Sequence, residues 1–213
     1  IGVNPETGLG EFYIDPELGS RDAVIDGQLV KDGNVTNYYS KAGETIVGKA
    51  VPDWMGGLTN TFTYKNFDLS FMISFQTGAK LFDYTGYFLR YSDGVRVGSF
   101  NMEQEVYGNY WKQPGDIVQH PKPIYGNPYR SDKFSSRTLV STDNVRMREI
   151  TFGYRVPISK KYISNLRVFF KANNPFLIYN AAGSIDPDVD VNGYRQTDTP
   201  PTKSFMFGLN FEL

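Results

Sequence analysis

Residues 202–213 alternate between large apolar side chains and small or polar ones, and this alternation constrains the fold more than any other feature of the sequence. The apolar positions are Phe205, Phe207, Leu209, Phe211 and Leu213. A period of two residues places one set of side chains on one side of an extended chain, which a helix would not do. The segment therefore predicts a β-strand with one strongly apolar face.

Such a strand has two possible settings, which differ in what covers the apolar face. A soluble sandwich packs that face against a second sheet. The wall of an outer-membrane barrel turns it toward lipid and turns the polar row toward the lumen. The group Phe207, Gly208, Phe211 and Leu213 is typical of the last strand of such barrels, and we assign these residues to barrel assembly.

Four further segments show the same alternation, and they predict strands at about residues 54–65, 67–77, 145–154 and 166–175. The clearest is residues 67–77, in which every second residue from Phe67 to Phe75 is apolar. In residues 145–154, Arg146 and Arg148 share the parity of the apolar residues that follow. That segment predicts either a β-bulge near Glu149 or an upper strand end that lies above the hydrocarbon.

The connections between these segments alternate between short and long. The short ones lie at Asn66 and at residues 155–165, and the long ones are residues 1–53, 78–144 and 176–201. Outer-membrane barrels show this distribution, with short periplasmic turns and long extracellular loops, whereas a sandwich has no reason to sort its loops by length. We therefore predict an all-β fold in which residues 1–213 supply antiparallel strands of a large transmembrane β-barrel with a periplasmic C-terminus. Within the longest loop we expect a helical turn around residues 102–111.

Composition excludes several classes of function. The net charge is −1 and no basic stripe is present, so we expect no nucleic-acid partner. The absence of Cys excludes a disulfide scaffold and a thiolate metal site. The single histidine, His120, is interpreted as a loop residue, and there is no Gly-x-Ser-x-Gly, phosphate-loop or His-Glu-x-x-His motif. We therefore do not expect an enzyme.

One acidic segment resembles the first half of a calcium-binding loop. Asp186, Asp188, Asp190 and Asn192 place oxygen ligands at alternate positions. However, Val191 stands where an EF-hand loop needs Gly, and Thr197 stands where it needs the bidentate Glu. We interpret the segment as an acidic outer turn, with calcium as the alternative and no other cofactor expected.

Several stretches together resemble one family of proteins. They are VGKAVPDWMGGLTNTFTYKNFDLSFMISFQTG (residues 47–78), SSRTLVSTDNVRMREITFGYRVP (residues 135–157), LRVFFKANNPF (residues 166–176), DPDV (residues 186–189) and PPTKSFMFGLNFEL (residues 200–213), with NPETG (residues 4–8) and KDGNVTNYYSKA (residues 31–42) near the start. In this order they resemble the C-terminal part of the SusC/RagA family of TonB-dependent outer-membrane transporters of Bacteroidota. The resemblance implies that the chain supplies the last five strands of a plugged barrel, whose plug and other strands lie outside these residues.

The resemblance also implies a function. Members of this family import oligosaccharides or oligopeptides, are driven by the TonB system, and work with a SusD-like surface lipoprotein that closes over the outer loops. Aromatic side chains in those loops can stack on sugar rings or pack on peptide side chains. The candidate contacts for cargo or lipoprotein are Tyr84, Tyr87, Tyr107, Tyr110 and Trp111. Two other classes stay open: a non-transporting barrel that scaffolds an envelope complex, and an outer-membrane hydrolase.

Overall fold

The alternating segments form one antiparallel sheet. The computed structural model describes residues 2–14, 22–25, 28–31, 35–44, 46–90, 101–158, 165–183, 185–188, 193–195 and 199–212. In chain order its strands and helix are β1 (Gly2–Val3), β2 (Gly10–Tyr13), β3 (Asp22–Ile25), β4 (Gln28–Lys31), β5 (Val35–Thr36), β6 (Trp54–Tyr64), β7 (Phe67–Thr77), β8 (Lys80–Asp83), α1 (Tyr84–Arg90), β9 (Leu139–Ser141), β10 (Asn144–Arg155), β11 (Asn165–Asn180), β12 (Tyr194–Arg195) and β13 (Ser204–Glu212). Single 3₁₀ turns lie at Tyr39–Lys41, Gln104–Val106 and Ser136–Thr138.

The five long strands make a sheet in the order β13-β11-β10-β7-β6. Each strand pairs antiparallel with the long strand that precedes or follows it along the chain. This up-and-down order is the arrangement that the alternating loop lengths predict, and the all-β fold class is confirmed. No helix in the part of the chain that the structure describes is long and apolar enough to cross a membrane.

A two-residue turn at Lys65 and Asn66 joins β6 to β7. Tyr64 pairs with Phe67 at the turn, and Trp54 pairs with Thr77 at the far end. Lys65 has a φ of 53°, because the tight connection needs a residue in the left-handed region. The strand therefore ends one residue before the predicted boundary at Lys65.

A β-bulge in β10 changes which residues share a face. The register shifts between Met147 and Glu149 in the pairings with both neighbouring strands. Beyond the shift, Arg146 pairs with Ser74 on the polar side of β7, and Met147 pairs with Ile73 on the apolar side. Of the two alternatives that the sequence left open, a bulge or a strand end above the hydrocarbon, the structure shows the bulge. The bulge moves Arg146 off the apolar face.

The prediction for β11 was too short. The sequence pattern gave a strand over residues 166–175 with a loop from Phe176, but the observed strand continues to Asn180. Pro175 lacks a backbone N–H, which normally ends a paired strand. Here it lies opposite the bulge, next to Asn174 with a φ of 46°, where the ladder is already interrupted. Pairing resumes between Phe176 and Met147.

The chain divides into two compact units. The sheet unit comprises Gly48–Phe82 and Leu139–Leu213, and the loop unit comprises Ile1–Val47 and Asp83–Thr138. The sheet unit also holds a small sheet in the order β12-β8-β9.

The loop unit holds the sheet β1-β2-β5, the hairpin β3-β4 and helix α1. The helical turn expected around residues 102–111 is only the 3₁₀ turn Gln104–Val106, and the α-helix lies earlier in the chain, at Tyr84–Arg90, where no helix was predicted.

Candidate functional site

One face of the five-stranded sheet is apolar, and nothing in the described residues covers it. Trp54 is 73% exposed, Phe205 is 63% exposed and Phe207 is 80% exposed. The other large side chains of this face that are exposed include Leu58, Phe62, Leu69, Phe75, Phe152, Val168, Phe176, Leu209 and Phe211. An uncovered apolar surface of this extent marks a place where lipid or another protein binds.

Aromatic side chains with polar tips lie at both ends of this apolar face. Trp54 and Tyr179 are at the end from which the long connections leave. Tyr64 and Tyr154 are at the end of the short turns, where the rings of Tyr154 and Phe67 lie 4.7 Å apart. Ten residues of strand span about 33 Å, which is roughly 25 Å in height at a barrel tilt of about 40°. Barrels in the outer membrane carry aromatic girdles at this separation.

The opposite face is polar, and ion pairs cross it from strand to strand. Arg167 of β11 donates from Nε to Asp68 of β7 over 3.0 Å, although β10 lies between the two strands. Gly153 of β10 makes this possible, because a Cβ there would overlap both charged groups. Lys171 Nζ of β11 lies 2.8 Å from Glu149 Oε2 of β10, so a second ion pair joins these two neighbouring strands directly.

Gly208 in the last strand has a specific packing role on this polar face. It pairs with Phe169, and a Cβ on Gly208 would overlap the Phe169 ring. The ring therefore lies across β13, where the Arg167 guanidinium stands 5.3 Å from its centroid. The only large aromatic side chain of β11 on the polar face is thus held between a glycine and a cation.

The acidic segment predicted as an outer turn is tied to the arginines of the bulge. Asp186 pairs with Arg146, which is 3% exposed, and Asp188 pairs with both Arg146 and Arg148. The distance from Arg146 Nε to Asp188 Oδ2 is 3.0 Å, and Arg148 Nε donates to Ser74 Oγ over 2.6 Å. Both carboxylates are therefore engaged by guanidinium groups.

Calcium binding by the acidic segment stays a prediction. No group of three or more His, Cys, Asp or Glu side chains within the described residues is arranged to hold a metal ion. Asp190 and Asn192, the other two candidate ligands, lie outside the described residues, as does Leu213 of the terminal strand.

A cavity of about 550 Å³ opens beside the same cluster in the sheet unit. Its lining includes Arg148, Asp188, Gln76, Lys80 and Met55. This concave site combines paired charges, an amide and apolar surface. A ligand with both polar and apolar parts requires such a combination.

In the loop unit, the NPETG stretch is a closed turn that supports Trp111. The Asn4 side chain accepts from the backbone of Glu6 and Thr7 over 2.9 and 3.0 Å, which fixes the turn. The carbonyl of Pro5 then accepts from Trp111 Nε1 over 2.7 Å. Gly8 has a φ of 72°, and its missing side chain leaves room for the Trp111 ring. Trp111 is therefore a fixed part of the loop unit.

The chain is similar in sequence to three TonB-dependent receptors. The chain is 25% identical over 218 residues to TonB-dependent receptor P3 of Formosa agariphila, with 96% of this chain covered. It is 26% identical over 180 residues to TonB-dependent receptor P39 and 23% identical over 222 residues to TonB-dependent receptor P26 of the same organism. The chain spans 21%, 17% and 21% of the length of these relatives. No protein-family model matches it.

Solved structures show the same fold. A chain of the RagAB peptide importer in its open-open state superposes with a TM-score of 0.76 at 18% identity, covering 100% of this chain and 21% of that one. The RagAB peptide transporter gives a TM-score of 0.75 at 20% identity, covering 98% of this chain and 22% of that one. The chain resembles a segment of a SusC/RagA-type TonB-dependent receptor. The resemblance drawn from the sequence is confirmed.

The five candidate contact residues occupy different environments. Tyr84 and Tyr87 belong to an aromatic cluster with Phe88 and Phe134, in which Tyr84 and Phe88 lie 4.5 Å apart and Tyr87 and Phe134 lie 5.0 Å apart. These two tyrosines pack inside the loop unit, as Trp111 does, so their exposed surface is limited.

The two remaining candidates differ in exposure. Tyr110 is half-buried and lies under Lys112, whose Nζ is 5.1 Å from the ring centroid. Tyr107 is 89% exposed and follows a 3₁₀ turn. Of the five candidates, Tyr107 presents the most surface to a partner, and the contact assignment for all of them stays a prediction.

The sequence analysis did not predict that the ring of Phe169 packs over Gly208, or that an ion pair crosses Gly153. A signal for both was present, since a glycine in the middle of an otherwise regular strand often marks the close approach of another group. Pairing each glycine with its partner requires the strand register, however, and the register depends on the bulge at Arg148.

Proposed function

We propose that this chain forms part of the barrel wall and outer loops of a TonB-dependent importer in the bacterial outer membrane. The observation that carries the proposal is the single-layer sheet, with an uncovered apolar face bounded by aromatic side chains and a polar face crossed by ion pairs. In a barrel wall, lipid contacts the apolar face and the aqueous lumen contacts the polar face.

In this proposal both edges of the sheet continue into further strands. β6 and β13 are the outermost strands of the sheet among the described residues. An unpaired edge in hydrocarbon costs several kcal/mol for each unsatisfied backbone group, so transmembrane sheets close into barrels. The remaining strands and the plug come from other parts of the full-length protein.

The orientation follows from the connections. The C-terminus and the turns after β6 and β10 face the periplasm, and the long segments that contain the loop unit face the cell exterior. The proposed partner on that side is a SusD-like lipoprotein, as the family resemblance implies. The cargo is an oligopeptide or an oligosaccharide, and the peptide importers among the structural neighbours support the first.

An uptake assay tests the importer. Cells that lack the full-length protein, and cells in which it is restored, receive fluorescent oligopeptides in one arm and oligosaccharides in the other. We expect uptake of one cargo class that requires both the protein and an intact TonB system. A protein that assembles in the outer membrane but takes up neither class, with or without TonB, contradicts transport and supports a scaffold.

Tyr107 provides the test of the proposed lipoprotein contact. Interface energy concentrates in a few Tyr, Trp and Arg side chains, and Tyr107 offers 89% of its surface. We expect Tyr107→Ala to weaken lipoprotein binding at least about tenfold when the two purified proteins are titrated. The matched control is Tyr125→Ala, which removes another exposed tyrosine of the loop unit that is not a candidate contact. Equal affinities for wild type and Tyr107→Ala contradict the contact.

A further inference from the structure

The loop unit contains a cavity of its own, distinct from the polar wall of the sheet. Its volume is about 510 Å³, within the range of about 300–1,000 Å³ that small-molecule sites occupy. Phe12 and Tyr87 supply aromatic surface, and polar side chains supply the rest, among them His120, Arg137 and Ser136. All of these residues belong to the loop unit.

His120 gives the cavity an unusual polar group. The residue is 4% exposed, and its Nδ1 lies 3.2 Å from Arg137 Nη2. A guanidinium group can only donate, so Nδ1 accepts and the ring proton is on Nε2. Burial, followed by the positive charges of Arg137 and Arg90, lowers the pKa of His120 to about 4, so the ring is neutral at physiological pH.

The Nε2 donor of His120 has no hydrogen-bonding partner among the described residues. A buried polar group left unpaired destabilises a folded protein, and folded proteins rarely retain one without a reason. His120 lines the cavity, so an oxygen of a bound molecule is the acceptor that would satisfy it.

The charges around the cavity disfavour an anionic ligand. Arg90 pairs with Asp83 over 3.1 Å, with Glu103 over 2.8 Å and with Glu105 over 3.0 Å, so its charge is already compensated. Glu11 also lines the cavity, and carboxylates therefore outnumber guanidinium groups in the lining. An added carboxylate or phosphate would meet net repulsion.

Hydroxyl groups complete the lining. Ser131, Ser135 and Ser136 all contribute. Ser131 Oγ accepts from Asn127 Nδ2 over 2.9 Å, which leaves its own proton to donate. Neutral donors and acceptors next to aromatic surface match a molecule that carries many hydroxyl groups on an apolar ring.

We propose that this cavity is a binding site for a neutral sugar ring, held by His120 Nε2–H and the serine hydroxyls, with aromatic contacts from Phe12 and Tyr87. The site would hold ligand at the loop unit whether or not the sheet unit transports it. It therefore does not rest on the proposed importer function.

The test uses the full-length protein in detergent and a panel of free monosaccharides that contains glucose, galactose, mannose and N-acetylglucosamine. Glucuronate is the charged counterpart of glucose. Binding is measured by isothermal titration calorimetry and by saturation-transfer NMR. We expect at least one neutral sugar to saturate the protein and glucuronate to bind at least tenfold more weakly than glucose when glucose binds.

Two variants assign the binding to this cavity. His120→Phe removes the Nε2 donor and keeps a ring, and it should weaken binding at least tenfold. Ser136→Trp places a bulky side chain at an exposed lining position, so it should block the cavity without disturbing the buried residues. Tyr125→Ala, an exposed tyrosine that lies outside the lining and is not a candidate contact, should bind sugar as the wild type does.

Absence of binding by every neutral sugar of the panel overturns the proposal, as does binding that both variants retain. Loss of uptake in cells with sugar binding intact would count against the importer alone. Uptake by a wild-type protein that binds none of the neutral sugars would count against this site alone.

Discussion

Placing one arginine on each face of β7 tests the sidedness of the sheet. Phe71 lies at the centre of the apolar row that runs from Phe67 to Phe75. It is about 14 Å along the strand from either end of that row, or about 10 Å in height at a tilt of about 40°. Ser70 is the next residue, at nearly the same depth on the polar face, where its hydroxyl lies 3.3 Å from that of Thr61. The arginine side chains of Phe71→Arg and Ser70→Arg would therefore point to opposite faces of the sheet at nearly the same depth in the membrane.

The expected cost of Phe71→Arg has two parts. Arginine on the lipid side of a barrel costs about 2–4 kcal/mol near the midplane. The variant also loses the stacked pair of Phe71 with Phe62, whose centroids lie 6.1 Å apart, and such a pair contributes about 0.5–1.5 kcal/mol. The two parts together are at least about 2.5 kcal/mol, and because about 1.4 kcal/mol is a factor of ten, the ratio of folded to unfolded protein should fall at least about 60-fold. Ser70→Arg should change it by less than about threefold, since its side chain extends into water.

The measurement is a urea titration of the full-length protein refolded into lipid vesicles, with the folded fraction read from heat-modifiable gel migration. Wild type and both variants are compared in vesicles of one lipid composition. If Ser70→Arg destabilises the protein as much as Phe71→Arg, or more, the two faces do not differ as lipid and an aqueous lumen do, and the membrane assignment is wrong.

Three further variants probe other parts of the structure. Gly208→Val should displace the ring of Phe169 and cost about 1–3 kcal/mol in the same vesicle titration, and an unchanged midpoint would refute the packing role. Arg146→Met should leave Asp188 with a single guanidinium partner and increase the protease sensitivity of the acidic segment, and a cleavage rate equal to wild type would argue against this tether. His120 has a pKa below its unfolded value of 6.5, so its neutral form stabilises the loop unit above pH 6.5 and that stability is lost as the pH falls toward 4. The free energy of unfolding should fall by about 3 kcal/mol in total, at about 1.4 kcal/mol for each pH unit of the pKa shift. His120→Phe should remove this part of the pH dependence in thermal unfolding. Equal acid sensitivity of the wild type and the variant would refute the role of His120.

The sheet was predictable because its signal is local. A membrane strand must alternate along its length, and the apolar rows of β7 and β13 are read directly from the residues. The alternation of short and long connections then predicts the up-and-down order, since neighbouring strands joined by short turns have to pair. Neither inference needs a contact between distant residues.

The ends of strands were less predictable, because they depend on partners. Pro175 ends a strand in isolation, yet β11 passes through it because the bulge at Arg148 has already removed the hydrogen bond that Pro175 cannot make. The loop segments were harder still. Helix α1 is only seven residues long, and its last residue, Arg90, is held by Asp83, directly before the helix, and by Glu103 and Glu105.

The sequence alone determined that this chain has one apolar face and one polar face, because side-chain direction in a strand follows from its period of two. Only the tertiary structure decided which polar residues meet across the sheet, as Asp68 and Arg167 do over Gly153. It also decided that Trp111 is held by Pro5, that Tyr107 is exposed, and that His120 lines a cavity with an unpaired donor. The physical reason is that these features join residues far apart in the chain, and their positions depend on strand register, on one bulge and on the path of long loops. A local pattern carries none of that information.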